Sequence, residues 1–278
     1  MKKVIDIGQY VSVAVEWLTE NLRPFFDFIK NAGNAGIESV EWLLTSIPFY
    51  LIIALLTFIA WKRTGKGIAL FTLLGLSLIY LMGFWLETMQ TLALILSSTL
   101  IALLIAIPLG IWSVKSPAAH RIIRPMLDLM QTMPAFVYLI PAVLFFSIGK
   151  LPGAFATIIF AMPPAVRLTT LGIQQVPADV LEAARSLGAT QRQILLKVEL
   201  PLALPTILTG VNQTILLSLS MVVIAGMIAA GGLGEKVLEG INNLDVGLGF
   251  ESGLAVVILA IILDRITQSF GQKSPAKK

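Results

Sequence analysis

The 278-residue sequence has no cysteine, a single histidine and few charges, since Asp, Glu, Lys and Arg together make up only 13% of it. A chain without cysteine forms neither disulfides nor thiolate metal sites. The one histidine, His120, stands among Lys115, Arg121 and Arg124, and we interpret it as a solvated loop residue. We therefore expect no metal site in this chain.

Motifs of nucleotide and acyl chemistry are missing as well. No G-x-x-x-x-G-K-[ST] loop occurs, and the basic stretch Gly65-Lys66-Gly67 lacks its spacing. The sequence also has neither a Ser/His/Asp arrangement nor paired carboxylates in a plausible pocket. We predict that the chain has no catalytic residues, binds no cofactor of its own and is not an enzyme by itself.

Apolar residues dominate what is present, with 56% of the sequence and a mean hydropathy of +0.87. Ordinary soluble domains are less apolar and more charged, so we predict an all-α, polytopic membrane protein. The net charge of +4 comes from basic residues in separate short loops, which argues against a nucleic-acid partner. Seven runs with few charges predict about seven transmembrane helices: Trp42–Trp61, Gly67–Leu86, Thr88–Val114, Leu129–Gly149, Leu151–Val166, Leu204–Ala230 and Ser252–Phe270. The fifth run is predicted to be broken by its two prolines, Pro163 and Pro164.

Residues 1–41 are predicted to form an extracytoplasmic amphipathic segment ahead of two spans within 42–86. Charges interrupt each apolar stretch of this segment, so it resembles neither a span nor a signal peptide. Val11, Val15 and Leu18 recur at helical spacing, which favours helices that lie on the membrane surface in contact with lipid. A partly disordered arm is the alternative for the first few residues.

The distribution of Lys and Arg predicts the orientation in the membrane. Basic residues accumulate in cytoplasmic loops. Fourteen of the 20 Lys and Arg lie in four segments that alternate with the others across the membrane: 62–66, 115–124, 167–200 and 264–278. We therefore expect the N-terminus outside, the C-terminus inside, and 271–278 as a basic cytoplasmic tail.

The polar stretch 177–201 is predicted to form two short helices joined by a turn. Asp179 is the expected N-cap of the first helix, with Glu182 three residues later as the acid of a capping box. Pro201 is expected to stop the second helix. Four residues at helical spacing predict a small apolar face on the first helix: Val180, Ala183, Ala184 and Leu187.

The turn between the two helices has its own signals. Gly188 stands where a helix commonly ends in a left-handed residue. Thr190 follows as the predicted N-cap of the second helix, with Gln193 as its reciprocal partner. The stretch is thus predicted to be a rigid structure rather than a flexible loop.

The spacing of Glu182-Ala183-Ala184, Gly188, Val198 and Leu200-Pro201 resembles the EAA loop of ABC-importer permeases, although that family usually has Ile at the position of Val198. The resemblance implies a type I ABC importer permease fold, an importer transmembrane domain over 87–270, and contact with a cytoplasmic ABC ATPase subunit that uses ATP and Mg. The implied coupling residues are Asp179, Glu182, Ala183, Ala184, Arg185, Gly188, Leu200 and Pro201. An ordinary amphipathic loop helix is the alternative.

Other stretches resemble permeases of the glycine betaine/proline type, and the resemblance runs from about Gly67 to Phe270. It implies a homodimer in a bacterial plasma membrane and an extracytoplasmic substrate-binding protein. The implied solutes are glycine betaine or the related osmoprotectants proline, carnitine and choline, taken up under osmotic stress. The stretches are Asp128–Phe136, Phe160–Pro164, Gln175–Asp179, Leu217–Ala225 and Leu263–Gln268.

The predicted spans are nearly free of ionisable groups, which weighs against the alternative of an ion-gradient-driven carrier or channel. A structural membrane scaffold is a third alternative. Asp264 and Arg265 are interpreted as an interhelical ion-pair anchor. Six polar, Met or aromatic residues are candidates for the substrate pathway, with helix packing as the alternative for each: Gln131, Met133, Phe136, Tyr138, Asn212 and Gln213.

Overall fold

The computed structural model describes residues 7–271, and these residues are almost entirely helical, which confirms the all-α prediction. Residues 1–6 and 272–278, with nearly all of the predicted basic tail, lie outside the described part. The helices are α1 (Ile7–Asn21), α2 (Arg23–Ser46), α3 (Phe49–Thr64), α4 (Lys66–Leu81), α5 (Trp85–Lys115), α6 (Pro117–Thr132), α7 (Ala135–Phe146), α8 (Lys150–Gln174), α9 (Ala178–Ser186), α10 (Gln191–Ile194), α11 (Leu200–Ser220), α12 (Val222–Gly226), α13 (Gly232–Asn242) and α14 (Val246–Gly271).

Four helical stretches within the described residues are long and apolar enough to cross a membrane, namely α5, α8, α14 and the run Gln191–Gly226. The count rises to six if α2 with α3, and α6 with α7, each form one bent span. Helix α4 is apolar but has only 16 residues. Each of the seven apolar runs lies mostly on helix, while length and composition support four to six spans.

The two bent pairs break where a residue precedes a proline. Ile47 before Pro48 and Met133 before Pro134 are both extended, with ψ of 131° and 137°. A following proline disfavours the α conformation, and the helices on either side meet at 98° and 101°. The predicted first span, 42–61, is consequently divided between α2 and α3.

The predicted fifth run behaves differently, because α8 continues without a break through Pro163 and Pro164. Both prolines are buried among neighbouring helices. Packing against other helices allows a membrane helix to keep a proline in its interior, which the run of residues alone did not indicate.

Helices α5, α8 and α11 form a closely packed block at the centre of the bundle. A Cβ on Gly110 of α5 would lie only 2.6 Å from the Thr169 Cβ of α8, and the Thr170 hydroxyl donates to the Gly110 carbonyl at 3.2 Å. A Cβ on Gly172 would likewise lie 3.1 Å from the Ala203 carbonyl oxygen of α11. Small residues let membrane helices approach this closely, so the three helices share backbone contacts.

Helix α2 packs on the bundle rather than standing apart from it. Ile37 is buried, and the Phe26 ring stacks on Phe145 with 4.5 Å between the centroids. The Lys150 ammonium forms an ion pair with the Glu41 carboxylate at 2.5 Å, and this pair joins α2 to the start of α8. The predicted amphipathic segment is thus helical and in contact with the transmembrane helices; its extracytoplasmic position stays a prediction.

Candidate functional site

The 177–201 loop connects α8 to α11, and its first helix begins earlier than predicted. Helix α9 starts at Ala178, after Pro177 with φ −58° and ψ 136°, and no side chain caps it. Asp179 lies in the first turn, so the prediction that it is the N-cap and forms a capping box with Glu182 is wrong. Pro177, with φ fixed by its ring, directly precedes the first helical residue, and Asp179 lies in the first turn, where the helix dipole favours a negative charge.

The surface of α9 is open to solvent. None of its nine residues is buried, and Leu187 immediately after it is 88% exposed. The predicted apolar face therefore exists as a sequence pattern but is not packed against the described part of this chain. An exposed apolar face on a structured helix is available for contact with another protein.

The turn after α9 has the predicted geometry. Gly188 has φ +78°, and a Cβ there would meet nothing within 4 Å. Its N–H donates to the Arg185 carbonyl at 2.9 Å, while the Ala189 N–H donates to Ala184 at 3.1 Å. These two bonds form a Schellman motif, which satisfies the last carbonyls of α9.

The predicted capping box at the second helix is present. The Gln193 N–H donates to the Thr190 hydroxyl at 3.3 Å, and the Thr190 N–H donates to the Gln193 side-chain oxygen at 2.8 Å. Both ends of the turn are thus fixed by bonds within a few residues. The turn between α9 and α10 is thus held by bonds within the loop itself.

Pro201 does not stop the second helix, so that prediction is wrong. Helix α10 continues through one π-helical turn, Leu195–Glu199, directly into α11. The Leu200 N–H reaches back to the Leu195 carbonyl, five residues earlier. A wider turn here removes the clash that a proline makes with the carbonyl four residues before it. The loop is consequently continuous with a transmembrane helix.

An ion pair at the π-helical turn was not predicted. The Lys115 ammonium, on the last residue of α5, donates to both carboxylate oxygens of Glu199 at 2.6 and 2.9 Å. Glu199 is 7% exposed. The two residues are 84 positions apart, and no local pattern in the sequence connects them.

The six pathway candidates do not meet in one site. The Tyr138 hydroxyl donates to the Met130 carbonyl at 2.8 Å, which holds the bend between α6 and α7. The Gln131 side chain accepts a bond from Arg167, which also pairs with Asp128 at 2.5 Å. Met133, Phe136 and Gln213 are exposed within the described residues. A substrate contact for these residues stays a prediction.

Asn212 joins α11 to α14 instead of standing free. Its amide donates to Asp264 at 3.3 Å and its oxygen accepts from the Thr267 hydroxyl at 2.6 Å. The prediction that Asp264 and Arg265 form an ion-pair anchor between helices is wrong. The two are neighbours on α14 at 3.9 Å, and the interhelical contact of Asp264 goes to the Asn212 amide.

A cavity of about 490 Å³, lined by both polar and apolar side chains, lies between α5, α6 and α8. His120 lies in α6, not in a loop as predicted, and its Nδ1 is 2.9 Å from the Ser113 hydroxyl. Ser116 is the N-cap of α6, and its hydroxyl accepts a hydrogen bond from the Ala119 N–H. His120 therefore follows in the first turn of that helix. The cavity is lined by Ser113, His120, Ile123, Arg124, Leu127, Asp128, Arg167, Thr170, Leu171 and Gln174.

The described residues thus form a bundle of apolar helices whose exposed 177–201 loop runs without a break into a candidate span, as expected of a multi-pass membrane protein. Over residues 102–273 the chain matches the family described as "Binding-protein-dependent transport system inner membrane component". It is 50% identical to the glycine betaine/proline betaine transport system permease protein ProW of Escherichia coli (strain K12), across 99% of this chain and 78% of that protein. It is 48% identical to the glycine betaine transport system permease protein OpuAB of Bacillus subtilis (strain 168), across 98% and 97%.

Solved structures agree on the fold. An inward-facing conformation of the MetNI methionine ABC transporter superposes with a TM-score of 0.61 over 66% of this chain and 91% of that chain, at 23% identity. The chain belongs to the family of binding-protein-dependent transport system inner membrane components, and it is a multi-pass permease subunit of an ABC importer. Permeases of this class work in general with an ATPase and a substrate-binding protein.

Proposed function

We propose that the chain is the permease subunit of an ATP-driven importer of glycine betaine or a closely related osmoprotectant. The observation that carries the proposal is the 50% identity, across nearly the whole chain, to a permease named for glycine betaine and proline betaine. Other relatives are named for carnitine, at 49% identity, and trimethylamine N-oxide, at 35%. In each of these solutes the nitrogen bears no hydrogen and has four substituents, and the molecule as a whole has no net charge. Proline and choline fit this chemistry less well.

The 177–201 loop is the proposed contact for the ATPase subunit. It presents Ala183 on the exposed α9 and Leu187 directly after that helix, and its second helix runs without interruption into α11. Closure of two ATPase subunits on ATP would push on this loop in each of two permease copies and open the pathway to the binding protein on the other side. Hydrolysis would then reset it. ATP and Mg belong to the ATPase in this scheme.

The proposed orientation places the 177–201 loop and the C-terminus in the cytoplasm and the N-terminus outside. Because the chain has no cysteine, Ser186→Cys on α9 introduces a single thiol. We expect it to react with a membrane-impermeant maleimide only after the cells are opened. Labelling from outside intact cells would show that the orientation is inverted.

Reconstitution tests the transport claim. The chain, its ATPase subunit and its binding protein would be placed in vesicles with ATP but without any ion gradient. We expect uptake of radiolabelled glycine betaine that stops when ATP is replaced by a non-hydrolysable analogue. Uptake that needs a sodium or proton gradient would contradict the proposal. Failure of betaine, carnitine, choline and proline alike in an ATP-hydrolysing complex would overturn the solute class alone.

A further inference from the structure

We propose that the Lys115–Glu199 ion pair passes the movement of the 177–201 loop to α5 as well as to α11. Lys115 and Glu199 would then be positioning residues of the transport cycle rather than residues that touch the solute or ATP. The inference rests on the proposed function, in which the loop is the part moved by the ATPase.

The pair sits at the junction of the loop and the membrane helices. Glu199 is the last residue of the π-helical turn, and Leu200-Pro201 follows it as the start of α11. Displacement of α10 therefore reaches Glu199 before it reaches the rest of α11. A carboxylate at this point follows the loop more closely than any residue farther along the span.

The contact fixes one point of the loop to one point of α5. Glu199 is 7% exposed, and both of its oxygens accept hydrogen bonds from the same ammonium. Next to the ion pair, Val114 of α5 and Leu200 of α11 pack against one apolar cluster, which includes Ala203. Apolar contact has no preferred direction, whereas a two-oxygen ion pair resists sliding of one helix along the other.

Helix α5 extends from Lys115 to the other end of the bundle. Gln90 and Thr91 lie about 25 residues before Lys115, which is about 37 Å along a helix. There the Leu233 N–H donates to the Thr91 hydroxyl at 2.8 Å, and the Gly232 N–H donates to the Gln90 side-chain oxygen at 3.1 Å.

Those two bonds hold the start of α13. A continuous path of bonded or helical elements thus runs from the loop through Glu199, Lys115 and α5 to α13, and networks of this kind can carry coupling between distant sites. The route through α11 alone does not include the Gln90 and Thr91 contacts.

Three variants test the inference in the reconstituted complex: Glu199→Gln, Lys115→Met and the charge swap Lys115→Glu with Glu199→Lys. Lys236→Met is the matched control, because it removes a Lys–Glu pair that lies within one helix, with Glu239 three residues away. The readouts are the amount of assembled complex, ATP hydrolysis stimulated by the loaded binding protein, and solute imported per ATP hydrolysed.

We expect both single variants to assemble with the ATPase but to import about tenfold less solute per ATP. The swap should restore the ratio at least partly, and the control should leave it unchanged. An unchanged ratio in Glu199→Gln would overturn the inference. So would a loss of uptake that only tracks the amount of complex and is not restored by the swap.

If a single variant fails to insert into the membrane, Lys115→Arg and the swap test the ion pair instead, because both keep opposite charges at the two positions. Near wild-type ratios in these two support the ion pair, and a ratio as low as in unpaired variants refutes it. If the wild-type complex shows no ATP-dependent uptake at all, the proposed function has failed instead.

Discussion

The two ends of the bundle are built in opposite ways. At the loop end, which bears residues 177–201, α9 has no buried residue and Leu187 is 88% exposed. At the hairpin end, formed by α12 and α13, backbone packs on backbone, so that a Cβ on Gly234 would collide with the Val222 carbonyl. The loop end therefore has an exposed surface that another molecule can contact, whereas the hairpin end is packed against its own chain.

The difference lies in where the stabilising bonds come from. At the turn between α9 and α10 they are local: the Schellman bonds of Gly188 and the capping box of Thr190 join residues at most five positions apart. The long-range ion pair of the loop, Lys115–Glu199, lies at the other end of the loop, where it enters α11. At the hairpin end, Leu233 and Gly232 donate to α5 across 142 positions. Locally stabilised structure keeps its shape while it moves as a unit, whereas the hairpin is bound to the position of α5.

The largest expected effect is at the hairpin end. Gly234→Ala places a methyl group against backbone that cannot rotate away, and overpacking of this kind costs about 1–3 kcal/mol or more. We expect loss of most folded protein, measured as the monodisperse fraction of solubilised chain after heating. Gly253→Ala is the control, because a Cβ there meets nothing within 4 Å. Equal stability of the two variants would contradict the tight packing.

Substitution of the loop glycine should affect transport rather than folding. Gly188→Val forces a β-branched residue to φ +78°, which costs about 1–2 kcal/mol, but no neighbour lies within 4 Å to be displaced. We expect normal membrane levels with loss of ATPase-driven uptake, because the valine turns α9 relative to α10. Gly188→Ala should be milder.

The readouts for Gly188→Val are membrane level, co-purification of the ATPase subunit and betaine uptake, measured on the same preparation. Normal uptake at wild-type expression would show that the turn is not needed for coupling. Absence of the protein from the membrane would mean that this glycine, like Gly234, is required for folding, and the contrast between the two ends would be lost.

The same contrast explains which parts of the molecule the sequence could predict. Gly188, Thr190 and Gln193 were predicted because each signal lies within a few residues of its partner. Asp179 was assigned to the cap because the acid is a good cap in isolation, while Pro177 had already begun the helix. Local signals fix the shape of the loop but not the residue at which it begins.

Long-range features could not be predicted in this way. The π-helical turn that carries the chain past Pro201 lies beside Lys115 of α5, and a contact between residues 84 positions apart leaves no periodic pattern. The bends before Pro48 and Pro134 did have a local signal, since a residue before proline avoids the α conformation. The prediction of one span across each bend followed the apolar composition of 42–61 and 129–149, and that composition continues through both bends.

The most conservative substitutions compare two threonines, one at each end of the bundle, whose hydroxyls have the same role. Thr91 and Thr190 each accept a hydrogen bond from the backbone N–H of a residue near the start of a helix, at 2.8 and 3.3 Å. Valine has nearly the same shape as threonine but no acceptor. Thr91→Val leaves the buried N–H of Leu233 unpaired, which costs about 1–3 kcal/mol. Thr190→Val removes an exposed N-cap, which costs about 1 kcal/mol.

We therefore expect Thr91→Val to lower the melting temperature of the solubilised chain and Thr190→Val to leave it almost unchanged. The order should reverse in solute imported per ATP, because the cap lost at Thr190 loosens the part of the loop that meets the ATPase. Thr190→Ser, which keeps the acceptor, is the control and should retain full coupling. If Thr190→Val lowers the melting temperature as much as Thr91→Val does, the loop is packed on its own chain after all, and the two ends do not differ in the way proposed.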